Sequence, residues 1–264
     1  ILYKVYDENQ TCFTKLNVSK LRKVYPEKRL GTFTYLDDFH AITYDIFVTR
    51  LYESELNKTE FVKKLDLKIC PYCGINFIPV LRKGNYNIKP EIDHFFPKSD
   101  FPILAFSFYN LIPCCHDCNH KFLKGDNPPI NMDNNELYLM NPYKFETEKL
   151  RFEIGSKNYN YFNEEDYWVD LKCDGNFNKG YNEYLGLTIR YSVHKYIIKD
   201  LLVLYLGYNK DSMDFYNGLN IPDDFRDLYI KTLFGYQSSE NDGLVPLAKF
   251  KRDIYSFINQ LLNS

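Results

Sequence analysis

Four of the seven cysteines fall into two pairs of identical spacing, and this constrains the fold more than any other feature of the chain. Cys70-Pro71-Tyr72-Cys73-Gly74 is one C-x2-C knuckle and Cys115-His116-Asp117-Cys118 is a second, with 41 residues between Cys73 and Cys115. Two residues between thiolates let one tight turn aim both sulfurs at a single ion, and two such turns complete a tetrahedral four-sulfur site of the kind that holds zinc. Gly74 follows at once and eases the backbone out of the first turn. A closed four-cysteine site keeps no open coordination position, so the Zn2+ it implies is structural. Cys114 lies beside Cys115, but only Cys115 keeps the two-residue spacing to Cys118. Cys12 and Cys173 stand alone and read as buried thiols. The odd cysteine count argues against a disulfide framework, and a reduced, cytoplasmic setting without an export leader is expected.

Three further segments lie between and beside the knuckles. Glu91-Ile92-Asp93-His94-Phe95-Phe96-Pro97-Lys98-Ser99 comes first, then Tyr109-Asn110-Leu111-Ile112-Pro113, then Asn119-His120-Lys121-Phe122-Leu123-Lys124-Gly125. The order C-x2-C, D-H-x-x-P-K-S, N-L-x-P, C-x2-C-N, then Lys and Gly resembles the HNH endonucleases, the ββα-metal nucleases, in the subgroup whose active site is bracketed by zinc. The resemblance covers about residues 68–126. Local patterning agrees with it. Residues 87–94 alternate and predict a strand ending at Asp93-His94, with Pro90 near its start. Residues 97–109 form a loop and 111–113 a short second strand. A helix then starts around the second knuckle, with Gly125 as its C-cap.

The resemblance implies an α+β fold: a ββα-metal core stapled by the four-cysteine zinc site and flanked by mainly helical N- and C-terminal regions. It implies a metal-dependent endonuclease that hydrolyses phosphodiester bonds, with DNA as the expected substrate. His94 is then the general base for the attacking water, a task suited to an imidazole. Asp93, on the other side of the strand, ligates a catalytic Mg2+ or Mn2+, which prefers hard oxygen ligands. Asn110 orients His94 through a backbone contact. Asn119 is the second ligand of the divalent ion, with His120 the alternative if the helix is turned by one residue. Lys98, Lys121 and Lys124 touch phosphates or solvate the surface, and His116 reads as exposed.

Some defence-associated HNH proteins have a similar layout, including the Pro-Lys-Ser step and an Asn-Pro-Tyr step like Asn141-Pro142-Tyr143. Those of the Septu type and some retron effectors act with a partner ATPase. The expected partners are therefore nucleic acid and an ATPase or other defence-system subunit, with self-association as a further option and no membrane. The alternative reading is a non-catalytic, zinc-stabilised nucleic-acid-binding or adaptor module, which would have no need of the Asp93-His94 pair. A bacteriocin-like toxin fits least, because no receptor-binding or translocation segment is apparent.

Composition narrows the remaining choices. At 45% hydrophobic and 26% charged residues, disorder is excluded as the main state. The 24 Tyr and 21 Phe beside one Trp read as codon bias rather than an aromatic surface. A net charge of -2 excludes a basic protein that coats nucleic acid indiscriminately. Residues 60–126 carry nine Lys/Arg and seven Asp/Glu, so weak, salt-sensitive DNA binding by the isolated chain is expected. No apolar run reaches the roughly 18 residues of a membrane helix.

Three regions are expected: a mainly helical 1–66, the nuclease core 67–127, and 128–264 with a small β segment and a helical tail. Within them the patterning predicts an apolar opening over 1–6 and a helix over 34–56 that uses Leu36, Phe39, Ile42, Ile46, Phe47 and Leu51. A shorter helix should follow, capped by Thr59. Strands are expected at 150–154 and 167–171, with turns at Gly155 and at Asp174-Gly175-Asn176, and helices at 182–206 and 246–262. His40 and His194 read as structural.

Overall fold

The computed structural model describes residues 40–84, 86–144, 149–158, 161, 163–207, 232 and 242–263. The apolar opening, Cys12 and residues 34–39 of the expected helix lie outside the described residues. The fold is mixed α+β, with three two-stranded antiparallel sheets among the described residues. The chain divides into two compact units, Ile1–Asp66 with Val80–Phe145, and Leu67–Pro79 with Glu146–Ser264. Residues 67–127 are thus shared between units, 67–79 belonging to the second and 80–127 to the first.

In the first unit, helix α1 (Tyr44–Glu55) is π-wound, and Leu56 N–H closes it on the carbonyl of Leu51, five residues back. The wider turn moves the buried face away from the 3.6-residue positions. Thr43, Val48 and Tyr52 are buried, whereas Ile42 and Ile46, expected inside, are 58% and 41% exposed. Helix α2 (Lys58–Leu65) is capped by Asn57, not Thr59: the Asn57 side chain accepts from Glu60 N–H at 3.1 Å.

Strands β1 (Leu81–Lys83) and β2 (Tyr86–Ile88) form a hairpin. Strand β3 (Glu91–His94) pairs with β4 (Leu111–Cys114), in register from Glu91 opposite Cys114 to His94 opposite Leu111. The single strand expected over 87–94 is therefore divided at Lys89-Pro90, where proline has no N–H for a ladder. Helix α3 (His116–Asn119) follows β4 and is a single turn. Because His120 is already extended, Gly125, at φ +39°, serves a later turn and does not cap α3.

In the second unit the first knuckle is anchored by its own neighbours. Lys68 and Ile69 N–H both donate to Gly243 O at 3.1 Å, Leu247 N–H to Gly74 O at 2.7 Å, and Tyr191 O–H to Cys73 O at 2.6 Å. Gly74 sits at φ +66° with Tyr191 Oη 2.9 Å from where a Cβ would lie, so conformation and space both require glycine. Strands β5 (Leu150–Ser156) and β6 (Tyr167–Cys173) pair from Leu150 opposite Cys173 to Ser156 opposite Tyr167, each two residues longer than expected. Gly155 lies inside β5 rather than in a turn, opposite Trp168, whose indole lies 2.5 Å from where its Cβ would be.

The helix expected over 182–206 is three: α4 (Lys179–Tyr184), α5 (Leu187–Ser192) and α6 (Tyr196–Gly207). The first break falls at Gly186, in the left-handed region at φ +60°. Helix α7 (Ala248–Asn263) buries Phe250, Ile254 and Ile258, an i, i+4 stripe, and its Asp253 accepts from Phe152 N–H of β5 at 2.8 Å. Among the described residues, no helix is long and apolar enough to cross a membrane.

Candidate functional site

One ligand atom from each of Cys70, Cys73, Cys115 and Cys118 lies within 4.8 Å of the others, and all four residues are buried. None is in a disulfide. Zinc–sulfur bonds of about 2.3 Å in tetrahedral geometry set sulfurs about 3.8 Å apart, so the cluster is compatible with a structural metal such as zinc. Among the described residues it is the one group of three or more His, Cys, Asp or Glu side chains close enough to share an ion. Cys114 is buried but outside the group.

Asp93 and His94 are consecutive on β3, so strand alternation sends their side chains to opposite faces. His94 is 8% exposed, with Nε2 3.2 Å from the carbonyl oxygen of Ala105. A carbonyl can only accept, which assigns the ring proton to Nε2 and leaves the Nδ1 lone pair as the basic one. Tyr52 of α1 meets the imidazole edge-on, with ring centroids 4.4 Å apart. Burial pushes the His94 pKa down to about 4, and the Lys98 ammonium adds to the shift; the Ala105 bond opposes it, and Lys124 and Lys58 reinforce it. The imidazole is therefore neutral at neutral pH.

The same Tyr52 ring carries two ammonium groups, Lys58 Nζ at 4.2 Å and Lys98 Nζ at 5.3 Å from its centroid. Lys98 also pairs with Glu53 at 3.3 Å. Burial first and then Lys98 lower the Lys58 pKa, as expected when two like charges share one place. Two ammonium groups thus lie against the ring that packs on the imidazole.

Asn110 is fully buried and frames the 95–110 loop. Its Oδ1 accepts from Phe96 N–H at 2.7 Å, and its Nδ2 donates to the carbonyls of Phe96 and Leu104, each at 3.1 Å. One side chain therefore fixes the backbone two residues after His94 and the residue before Ala105, which holds the imidazole. Asn141-Pro142-Tyr143 braces the same segment: Asn141 Nδ2 donates to Tyr109 O at 2.9 Å and Tyr143 O–H to Leu111 O at 2.7 Å. Asn110→Ala would leave one N–H and two carbonyls without that partner. At about 1–3 kcal/mol for an unsatisfied buried group, a loss of about 3 kcal/mol or more is expected in urea unfolding. A loss under about 1 kcal/mol would contradict this framing role.

The remaining site residues fall into two groups. Asp93 is 4% exposed and its carboxylate faces the fully buried Lys124, with Nζ 3.1 Å from Oδ1 and 2.9 Å from Oδ2. Asn119 instead donates from Nδ2 to Glu91 Oε2 at 2.6 Å, and the exposed His116 places Nδ1 2.6 Å from Glu91 Oε1. His120 lies beside Phe122, with the rings tilted by 43°, and accepts the Phe122 N–H at Nδ1 at 3.4 Å. His40 is far along the chain, yet its Nε2 lies 2.6 Å from the Ser99 carbonyl oxygen, beside the loop. Sequence reasoning missed Glu91, Tyr52 and Lys58. Glu91 had a signal, since it lies two positions before Asp93 and so shares its strand face. Tyr52 and Lys58 had none.

No protein-family model matches the sequence, and no curated protein or solved structure matches it.

Proposed function

We propose that this chain is a metal-dependent endonuclease of HNH type that hydrolyses phosphodiester bonds in DNA. The observation that carries the reading is His94, a neutral imidazole tied through Nε2 to a backbone carbonyl with its other nitrogen basic, set beside Lys58 and Lys98. In this reading Nδ1 takes a proton from the attacking water, and general-base help of this kind contributes about 10²–10⁴-fold. Lys58 and Lys98 draw the phosphate toward the imidazole. Asn110 keeps the carbonyl of Ala105 in place, which holds the tautomer.

The carboxylate of Asp93 and the amide oxygen of Asn119 are the hard donors that Mg2+ or Mn2+ takes, and these two residues would hold the ion. Once bound, it would offset charge developing on the phosphorane. The four cysteines would hold the structural zinc. The short Pro-Lys-Ser and Asn-Pro-Tyr steps support a role as a cytoplasmic anti-phage effector, acting with an ATPase or another defence-system subunit or as a homo-oligomer.

One observation favours the alternative, a non-catalytic zinc-stabilised module: the Asp93 charge already has a buried partner in Lys124. A cleavage panel separates the two. Zinc-loaded chain is incubated with supercoiled plasmid, single-stranded DNA and RNA in Mg2+, Mn2+ or EDTA. Plasmid nicking or cutting that needs the divalent ion is expected, and intact substrates under every condition would favour the module.

A further inference from the structure

Lys124 has no exposed surface, and every hydrogen of its ammonium has an acceptor within reach. Nζ lies 2.9 and 3.1 Å from the two Asp93 oxygens, 2.7 Å from the His94 carbonyl oxygen and 3.4 Å from that of Gly125. A lysine is seldom buried to this degree, because its charge must be fully compensated once removed from water. Here the compensation comes from the one carboxylate of β3 that the proposed function gives to a divalent ion.

An ion such as Mg2+ binds carboxylate oxygen at about 2.0–2.1 Å and Mn2+ takes similar ligands. Such an ion and an ammonium already within 3.1 Å of both oxygens would set three positive charges on one buried carboxylate. Little solvent is present to screen that repulsion.

We infer that Lys124 and a divalent cation compete for the Asp93 carboxylate, so that Lys124 sets how much Mg2+ or Mn2+ the site requires. This rests on the reading of Asp93 as a ligand of the divalent ion. Lys124 leaves as the ion enters, and the Asp93 charge is never without a cation.

The test needs no nucleic acid. Mn2+ binding to the zinc-loaded full chain is followed by loss of the free Mn2+ electron paramagnetic resonance signal. Lys124→Met should bind Mn2+ about tenfold more tightly than wild type or better, and Asp93→Asn in the Lys124→Met background should remove the gain. Affinity that is unchanged or weaker in Lys124→Met, or a gain that survives Asp93→Asn, overturns the inference.

Because Lys124→Met takes the ammonium away from a buried carboxylate, a change that can prevent folding, the wild-type chain supplies a second readout. Reductive methylation read by mass spectrometry should spare Lys124 in buffer alone and label it at saturating Mg2+. Continued protection of Lys124 with Mg2+ bound overturns the inference as well. A chain that shows this competition yet cuts no nucleic acid keeps the inference and refutes the nuclease reading. One that cuts DNA while Lys124→Met leaves Mn2+ affinity unchanged does the reverse.

Discussion

Cys118→Ser is expected to remove the metal and most of the fold's stability together. Wild-type protein should carry near one zinc per chain by elemental analysis, and the variant close to none. Structural zinc binding in small domains contributes about 10–16 kcal/mol at neutral pH, as much as the roughly 5–15 kcal/mol net stability of a whole typical domain. The variant should therefore unfold at much lower urea or be recovered unfolded. Cys114→Ser is the control, because Cys114 is buried yet outside the four-sulfur group. It should retain zinc and change stability modestly. Zinc loss in Cys114→Ser with retention in Cys115→Ser would mean that the second knuckle is built on the wrong cysteine.

The knuckles were legible because their signal is local: spacing within each turn is set by covalent geometry, and the four cysteines do cluster. The same holds for β5 and β6, where alternate residues are buried, Leu150, Phe152 and Ile154 on one strand and Tyr167, Val169 and Leu171 on the other. Helix α7 was legible from its i, i+4 stripe. Reading failed where one residue or an unusual winding broke a period. Gly186 divides one expected helix, Pro90 divides one expected strand, and the π-winding of α1 leaves Ile46 exposed while burying Val48.

The site was legible along the chain but not across it. Asp93, His94, Asn110 and Asn119 were singled out by the order of their motifs. Which partner each one meets is set by segments distant along the chain, and Tyr52 and Lys58 carry no mark in the sequence. Lys124 reaches Asp93 across 31 residues, and α1 and α2 supply Tyr52 and Lys58. Sequence reasoning gave Lys124 only the choice between phosphate contact and solvation, whereas it is the most deeply buried charge of the site. Buried charge pairs are hard to foresee because each member alone reads as surface.

His94→Ala should have the largest effect on activity. On the proposed mechanism the variant lacks the group that takes the water's proton, whereas Lys58 and Lys98, the proposed phosphate contacts, remain. The loss should fall on the chemical step, by about 10²–10⁴-fold, while DNA binding changes little. His94→Asn serves as a second variant that retains some of the buried volume beside Tyr52. Zinc content and urea midpoint must first show that both variants are folded. The deciding measurement is the single-turnover rate of plasmid nicking at saturating Mg2+ or Mn2+ for wild type and these variants side by side. Measurable wild-type nicking that falls about a hundredfold or more in both zinc-loaded variants is the expected result. Nicking by folded His94→Ala at the wild-type rate would contradict His94 as the base and, with it, the proposed site.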